Sequence, residues 1–192
     1  MPPDKNVEEL VKSCISLVLF AALLSSVTAF GQSTDHDGCT NATLTGDYAF
    51  RVSGAILPSV PPGTPRIQIP RDGVAMTRFD GLTVGPSGVG GLSQVDFVMS
   101  SGTPLVGLSD PVSGFHTGET GWYKVFRDCT GMAEIHFPTP KGGTSGAVID
   151  LMFVLSNHGN TIHTIVSQLI PPNTKTPVPV SIHSDGEKMG GD

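Results

Sequence analysis

The sequence predicts an all-β domain, an antiparallel meander of seven to eight strands closed into a barrel. Glycine and proline are abundant, with 24 and 16 copies, whereas charged residues make up only 15% of the chain. Short runs with apolar residues at every second position lie between these turn-forming residues, and few segments carry a helical repeat. A closed barrel would leave no exposed strand edge. A two-sheet β-sandwich is the alternative, because closure is not visible in a sequence.

The first 31 residues resemble a secretory signal peptide rather than part of the fold. A mainly apolar run, Ile15–Leu24, precedes small residues that end at Ala29, which suits cleavage after Ala29 or Gly31. The acidic residues before this run depart from the usual basic start. At ten residues, the run is shorter than the roughly 20 needed to cross a bilayer. We therefore expect a secreted, periplasmic or extracellular protein that is free of the membrane once the signal is removed.

The remaining chain divides into an amino-terminal arm (32–45), a β-barrel domain (46–170) and a proline-rich flexible tail (171–192). Two segments, 56–70 and 102–114, are predicted to be irregular because prolines or glycines interrupt them. Strands are predicted at 46–54, 73–79, 92–99, 121–127, 132–138, 147–155 and 161–170.

Two cysteines are left in the mature chain, and in an exported domain they predict a disulfide, Cys39 to Cys129. Closing a loop of roughly ninety residues would stabilise the fold by about 4 to 5 kcal/mol and would hold the amino terminus against the turn at Cys129. Two unpaired buried thiols are the alternative. Asn41 begins an Asn-Ala-Thr sequon and is a candidate glycosylation site if the host glycosylates exported proteins.

Charge and motifs exclude several classes of function. A net charge of −6 disfavours nucleic acids and anionic membranes, which attract basic surfaces. His136, His158 and His163 lack the HxH or HExxH spacing of a metal site, so we predict no metal and no cofactor. No GxSxG sequence supports a serine nucleophile.

Three polar residues in the middle of predicted strands are the candidates for acid–base catalysis: Glu134, His136 and Asp150. Inside an apolar barrel, desolvation would raise the pKa values of the two carboxyl groups towards neutrality. We favour an outward orientation, because the opposite faces of these strands are more continuously apolar. In that case Val148, Met152 and Val154 would form an exposed apolar stripe of the kind that joins subunits of a homo-oligomer.

Four aromatic residues are candidates for lining a ligand pocket, although core packing is a competing role: Tyr48, Phe50, Trp122 and Phe126.

Several segments together resemble a family of secreted proteins of unknown function, which are similar to the calycin-type barrels of allene oxide cyclase and dirigent proteins. These segments are Cys39–Tyr48, Phe79–Gly81, Thr120–Tyr123, Asp128–Gly131 and the connection at Asn157–Gly159. The resemblance covers nearly all of the mature chain and implies a calycin-like barrel around an apolar cavity. Its markers are turn glycines, cysteines and framework aromatics, and no catalytic residue of either family matches a position here.

Three functions follow as hypotheses. The first is an exported barrel that binds a small apolar molecule, or a surface partner, without converting it. The second is an isomerase or cyclase resembling allene oxide cyclase, with Glu134 or Asp150 as its carboxyl group. The third is a structural secreted interaction domain.

Overall fold

The computed structural model describes residues 38–57, 64–65, 67–105, 110 and 112–190. They form an eight-stranded antiparallel β-barrel with one additional short strand, β4. The prediction of an all-β barrel is thus confirmed, and the sandwich alternative is excluded. The predicted signal peptide and the prolines at 58–62 lie outside the described residues. No helix in the described part of the chain is long and apolar enough to span a membrane.

The strands follow one another around the barrel in chain order, apart from β4, which pairs only with the end of β3. Their bounds are β1 (Thr45–Ile56), β2 (Ile69–Asp80), β3 (Gly90–Ser100), β4 (Thr103–Pro104), β5 (His116–Val125), β6 (Thr130–His136), β7 (Val148–Ser156), β8 (Thr161–Ile170) and β9 (Val180–Lys188).

The last strand corrects the sequence prediction, in which 171–192 was a flexible tail and the barrel ended at residue 170. Residues 180–188 form β9, which pairs with β1 on one side and with β8 on the other. The prolines from Pro171 to Pro179 therefore form a connection and do not end the fold. Without β9 the barrel would have two open edges, so this strand provides the closure.

Aromatic side chains fill the lower end of the barrel, which we define as the end where β2, β5, β7 and β9 finish. Tyr48 and Tyr123 are fully buried there, and the ring of Phe79 meets both edge-on, with centroids 5.5 and 5.0 Å away. The Tyr123 hydroxyl donates to the carbonyl of Leu44 at 3.1 Å and accepts from the amide of Gly81 at 2.8 Å. This end of the barrel is closed by side chains.

The segment before β1 is held in place and is not a loose arm from residue 38 onwards. The predicted disulfide between Cys39 and Cys129 is confirmed, and the Cys39 amide donates to the carbonyl of Arg127 at 3.1 Å. A single 3₁₀ turn, Asn41–Thr43, then leads to the buried Leu44. The disulfide and this turn close the lower end from outside.

The structure argues against Asn41 as a glycosylation site. Its side chain is buried, and its amide nitrogen donates to the carbonyls of Leu82 and Gly88 at 2.9 and 3.2 Å. Its Oδ1 accepts from the amide of Val125 at 2.8 Å. A glycan on this nitrogen would remove one of the two donor hydrogens and would need space that the fold does not provide. Asn41 therefore joins three segments of the lower end through its side chain.

Candidate functional site

Above the aromatic lower end, the barrel encloses a cavity of about 450 Å³. Most of the side chains around it are apolar and come from the inner faces of nearly all the strands; examples are Phe50, Leu92, Ile135, Leu151, Phe153 and Val166. The volume lies within the range of about 300 to 1,000 Å³ that is usual for small-molecule sites. The barrel interior is therefore partly empty and not completely filled by packing.

One side of the cavity is polar. Five residues on β2, β3 and β5, which we call the polar wall, line it together: Thr77, Gln94, Asp96, His116 and Glu119. Asp96 is 5% exposed and Glu119 only 1%, so both carboxyl groups are withdrawn from bulk water. Carboxyl groups are rarely buried to this extent unless they are paired or have a function.

A β-bulge in β5 brings His116 and Glu119 to the same face. Regular alternation would place residues three apart on opposite faces of a strand. Here Glu119 pairs with Gln94 and His116 with Asp96, so three steps along β5 match two along β3. Gly118 absorbs the extra residue with φ of +80°, a conformation that favours glycine. Because of the bulge, the side chains of both His116 and Glu119 point into the barrel.

Hydrogen bonds from the protein fix one carboxylate oxygen of Glu119, and the other oxygen accepts none from the described residues. The Thr77 hydroxyl donates to Gln94 Oε1 at 2.8 Å, which orients the amide, and Gln94 Nε2 donates to Glu119 Oε2 at 2.8 Å. Glu119 Oε1 is buried and has no hydrogen-bond partner among the described residues. An unsatisfied buried oxygen of this kind costs about 1 to 3 kcal/mol unless a ligand, water or proton satisfies it.

The second carboxyl group shares a proton with an imidazole. His116 Nε2 lies 2.8 Å from the carbonyl oxygen of Leu105, which can only accept, so this nitrogen carries a hydrogen. His116 Nδ1 lies 2.6 Å from Asp96 Oδ1. Either the ring is an imidazolium donating to a carboxylate, or a protonated Asp96 donates to the ring. In both states one proton is held between Asp96 and His116.

The two carboxyl groups differ in their attraction for protons. The pKa of the Glu119 carboxyl is raised from 4.5 to about 8, chiefly by burial and then by the negative charge of Asp96. Burial also raises the pKa of Asp96, but a hydrogen bond and the charge of His116 oppose that rise. At neutral pH Glu119 is therefore protonated. Because Oε2 accepts from Gln94, the hydrogen lies on Oε1, and the neutral Glu119 carboxyl shares a hydrogen bond with Asp96.

A fourth charged residue, Arg71, lines the cavity nearer the upper end. It lies four residues along β2 from Ala75, the partner of Asp96, which corresponds to about 13 Å along the strand. Its Nη1 is buried without a hydrogen-bond partner among the described residues, and burial lowers its pKa. The cavity thus has a cationic group at a different height from the polar wall.

Asp96, His116 and Glu119 each offer one ligand atom, and these atoms lie within 4.8 Å of one another, as in a metal site. The 2.6 Å between His116 Nδ1 and Asp96 Oδ1 is a hydrogen-bond distance. Two ligands of one divalent ion, each about 2.1 Å from it, would stand about 3 Å or more apart. The geometry therefore fits a proton between the two groups better than a metal ion.

The residues favoured for catalysis from the sequence lie elsewhere. Glu134, His136 and Asp150 are on the outer face of β6 and β7, and none of them lines the cavity. His136 Nε2 lies 2.6 Å from Glu134 Oε1, and Trp122 Nε1 donates to the same oxygen at 3.1 Å. Burial, followed by the neighbouring Glu134, raises the pKa of Asp150.

Of the four aromatic candidates, Phe50 lines the cavity. Tyr48 belongs to the closed lower end, where its hydroxyl donates to the carbonyl of Gly159. Trp122 is on the outer face with Glu134, and Phe126 is 37% exposed just after β5. The structure therefore brings one of the four to the site.

Sequence reasoning missed the whole polar wall. Gln94 and Asp96 occupy every second position of β3, as residues of one face do. In the sequence, however, each could equally be a polar residue that faces the solvent. His116 and Glu119 are three residues apart, which argues against a shared face. The signal that could have identified them is Gly118, since a glycine inside a strand pattern often marks a bulge.

Comparison with known proteins adds no family to this description, because no family model matches the chain and no curated protein is significantly similar to it.

Proposed function

We propose that the protein binds one small, largely apolar molecule inside the barrel, with a polar group of that molecule against the polar wall. The observation that carries this proposal is the cavity of about 450 Å³, which combines a mainly apolar lining with the group of polar side chains that forms the polar wall. Such a combination is typical of sites where apolar contact supplies affinity and a few polar groups fix orientation.

The expected affinity follows from the burial of apolar groups. A ligand with about ten methylene-sized groups gains about 8 kcal/mol on leaving water, at about 0.8 kcal/mol each. Burial of its polar group against Glu119 Oε1 or Arg71 Nη1 would satisfy an atom that has no partner among the described residues. The entropy lost on association reduces this gain, so we expect a Kd weaker than 1 μM, which corresponds to about −8 kcal/mol.

Two further features are part of the proposal. Export to an oxidising compartment is supported by the disulfide, because such bonds persist there. The second feature is a similarity to the barrels of allene oxide cyclase and dirigent proteins. The closed antiparallel barrel and its apolar interior support it, and this similarity is one of architecture alone.

Self-association is a separate proposal that concerns the outer surface. Met152 and Val154 on β7 are 43% and 47% exposed, and Ile165, the partner of Met152 on β8, is 55% exposed. An apolar stripe of this kind suits contact with a second copy of the chain. Light scattering of the wild type and of Ile165→Lys tests it: a dimer that the substitution dissociates supports the contact, and a monomer at every concentration refutes it.

Titration with a fluorescent apolar probe, N-phenyl-1-naphthylamine, tests the binding proposal. Ala133 and Ala75 line the cavity, so Ala133→Phe and Ala75→Leu should fill part of it and weaken binding at least tenfold. Met132→Phe is the matched control, because Met132 neighbours Ala133 on the outward-facing side of β6. Thermal unfolding of each variant checks the fold. Equal binding by the filled and control variants would show that the probe sits outside the cavity.

A further inference from the structure

We propose that Asp96 and Glu119 are an acid–base pair that transfers protons on a carbonyl compound bound in the cavity. This inference goes beyond binding but rests on it, since the substrate must occupy the proposed site. The reaction class is a 1,3-proton shift, such as the conversion of a β,γ-unsaturated ketone into its conjugated isomer.

The first argument is the position of the two carboxyl groups. Both line the same apolar cavity, and their oxygens lie within 4.8 Å of each other and of the His116 nitrogen. The groups are 95% and 99% buried, so a carbonyl group between them would interact in a medium of low dielectric constant. Proton transfer between side chains and a substrate requires such proximity before any matching of pKa values.

The second argument is that each carboxyl group is held by a different partner. Glu119 Oε2 accepts from Gln94, so the proton of its neutral form lies on Oε1, where it is shared with Asp96 until a substrate carbonyl comes between the two carboxyl groups. Asp96 is tied to His116, which is itself fixed by the carbonyl of Leu105. His116 and Gln94 are thus positioning residues, while Glu119 and Asp96 are the groups that would touch the substrate.

The third argument is the bulge at Gly118. It interrupts the regular pairing of β3 with β5 and places both His116 and Glu119 inside the barrel. Bulges are over-represented next to active sites, where they redirect a side chain. A barrel that only needed an apolar interior would not require this irregularity, nor two carboxyl groups with a single histidine to neutralise them.

The proposed steps are balanced without any further reactant. The Glu119 hydroxyl donates a hydrogen bond and then its proton to the carbonyl oxygen, while the Asp96 carboxylate takes a proton from the α-carbon. The α C–H bond breaks, a C=C bond forms to the carbonyl carbon, and the product is a neutral dienol. Asp96 then returns its proton to the γ-carbon, and Glu119 recovers its own proton from the hydroxyl of the dienol, which regenerates the carbonyl group.

The raised pKa of Glu119 agrees with its role as the acid, because it stays protonated up to about pH 8. Among the described residues, the other charged or titratable groups that line the same cavity are Arg71, Asp96 and His116. We expect the rate to fall above about pH 8 as Glu119 loses its proton.

Isomerisation of cyclohex-3-en-1-one, followed by the ultraviolet absorbance of its conjugated product, tests the inference with the full mature protein. We expect at least about a 100-fold acceleration over buffer. Asp96→Asn and Glu119→Gln should each lower the rate more than tenfold, whereas Glu134→Gln on the outer face should leave it unchanged. Binding of N-phenyl-1-naphthylamine should persist in all three variants.

Separate outcomes distinguish this inference from the binding proposal. Competition of cyclohexenone with the naphthylamine probe shows whether it enters the cavity. One outcome is that cyclohexenone enters the cavity of the wild type but is not isomerised faster than in buffer and, by NMR in D₂O, does not exchange deuterium at its α-carbon. That result overturns the acid–base pair and leaves the binding proposal intact. Wild-type rates in Asp96→Asn and Glu119→Gln, or loss of activity with EDTA, also overturn it. Failure of every apolar probe to bind would overturn both proposals.

Discussion

Replacing Glu119 by Gln should change how the stability of the barrel depends on pH. The pKa of Glu119 is about 8 in the folded protein and near its ordinary value of 4.5 when the chain unfolds. Between these values the folded state keeps a proton that the unfolded state has released. Stability conferred by this raised pKa is fully present below about pH 4.5 and is lost as the pH rises towards 8.

The size of the effect has an upper limit set by linkage. One pH unit corresponds to about 1.4 kcal/mol per proton, so the loss across the whole interval cannot exceed about 5 kcal/mol. Asp96, Gln94 and water in the cavity adjust as the proton leaves, and we expect about 2 kcal/mol between pH 5.5 and 8. Gln keeps the shape and one hydrogen bond but cannot ionise, so the variant should lack this loss.

Urea unfolding at several pH values, followed by the fluorescence of Trp122, measures the difference. Trp122 is the single tryptophan of the chain and lies on β5, the strand that carries Glu119. Glu187→Gln, which removes an exposed carboxyl group from β9, is the control and should follow the wild type. If Glu119→Gln and the wild type have parallel pH profiles, Glu119 does not hold a proton in the folded barrel and the reasoning fails.

Further predictions concern the framework around the cavity. Replacing Cys39 and Cys129 together by Ser should lower the free energy of unfolding by about 4 kcal/mol, because the bond closes a loop of ninety residues, and urea midpoints with and without reductant measure this loss. Asn41→Ala should cost about 2 to 4 kcal/mol, since it leaves two carbonyls and one amide without their partner, and a midpoint equal to that of the wild type would contradict this role. Gly118→Ala should cost about 1 to 2 kcal/mol because of its positive φ, with a further loss from the contact of the added Cβ with Pro138; Gly142→Ala, also at positive φ but with open space around it, should show the conformational cost alone, and denaturant titration compares the two. A chain that ends at Ile170 should not form a closed barrel, whereas one that ends at Gly190 should; cooperative unfolding of the shorter chain would show that β9 is dispensable.

The class of fold could be predicted from the sequence because its signals are local. Alternation of apolar residues, turn glycines and the spacing of the strands each act over fewer than twelve residues, and antiparallel neighbours in the chain became neighbours in the barrel. The disulfide could also be predicted, since only two cysteines remained after the proposed signal peptide. These signals required no knowledge of long-range packing.

The closing strand could not be recognised in the same way. Its sequence, Val180–Lys188, has apolar side chains only at the first two positions of its inner side, Val180 and Ile182, which are followed by Ser184 and Gly186. Gly186 carries no side chain because Phe50 and Ile162 occupy the space where its Cβ would point. Such a strand lacks the apolar pattern of a core strand, and the prolines before it suggested that the fold had ended.

The site was missed for a related reason. His116 and Glu119 share a face only because of the bulge, and the burial of Asp96 depends on strands β2 and β5 on either side of it. By contrast, Glu134 and His136 alternate regularly, and this regularity places them on the outer face, as the more apolar opposite face of their strand predicted. A functional polar group inside a barrel is defined by the register of three strands, which no local pattern encodes.

The most direct test of the central claim is X-ray diffraction from crystals equilibrated with 1-bromonaphthalene, an apolar molecule with an anomalous scatterer. The account predicts one strong bromine peak inside the barrel, among Phe50, Ile135 and Phe153 and beside the polar wall, and no such peak in crystals of Ala133→Phe. Bromine peaks confined to the outer surface, with the barrel interior filled by side chains, would contradict the claim that this protein binds its ligand within the barrel.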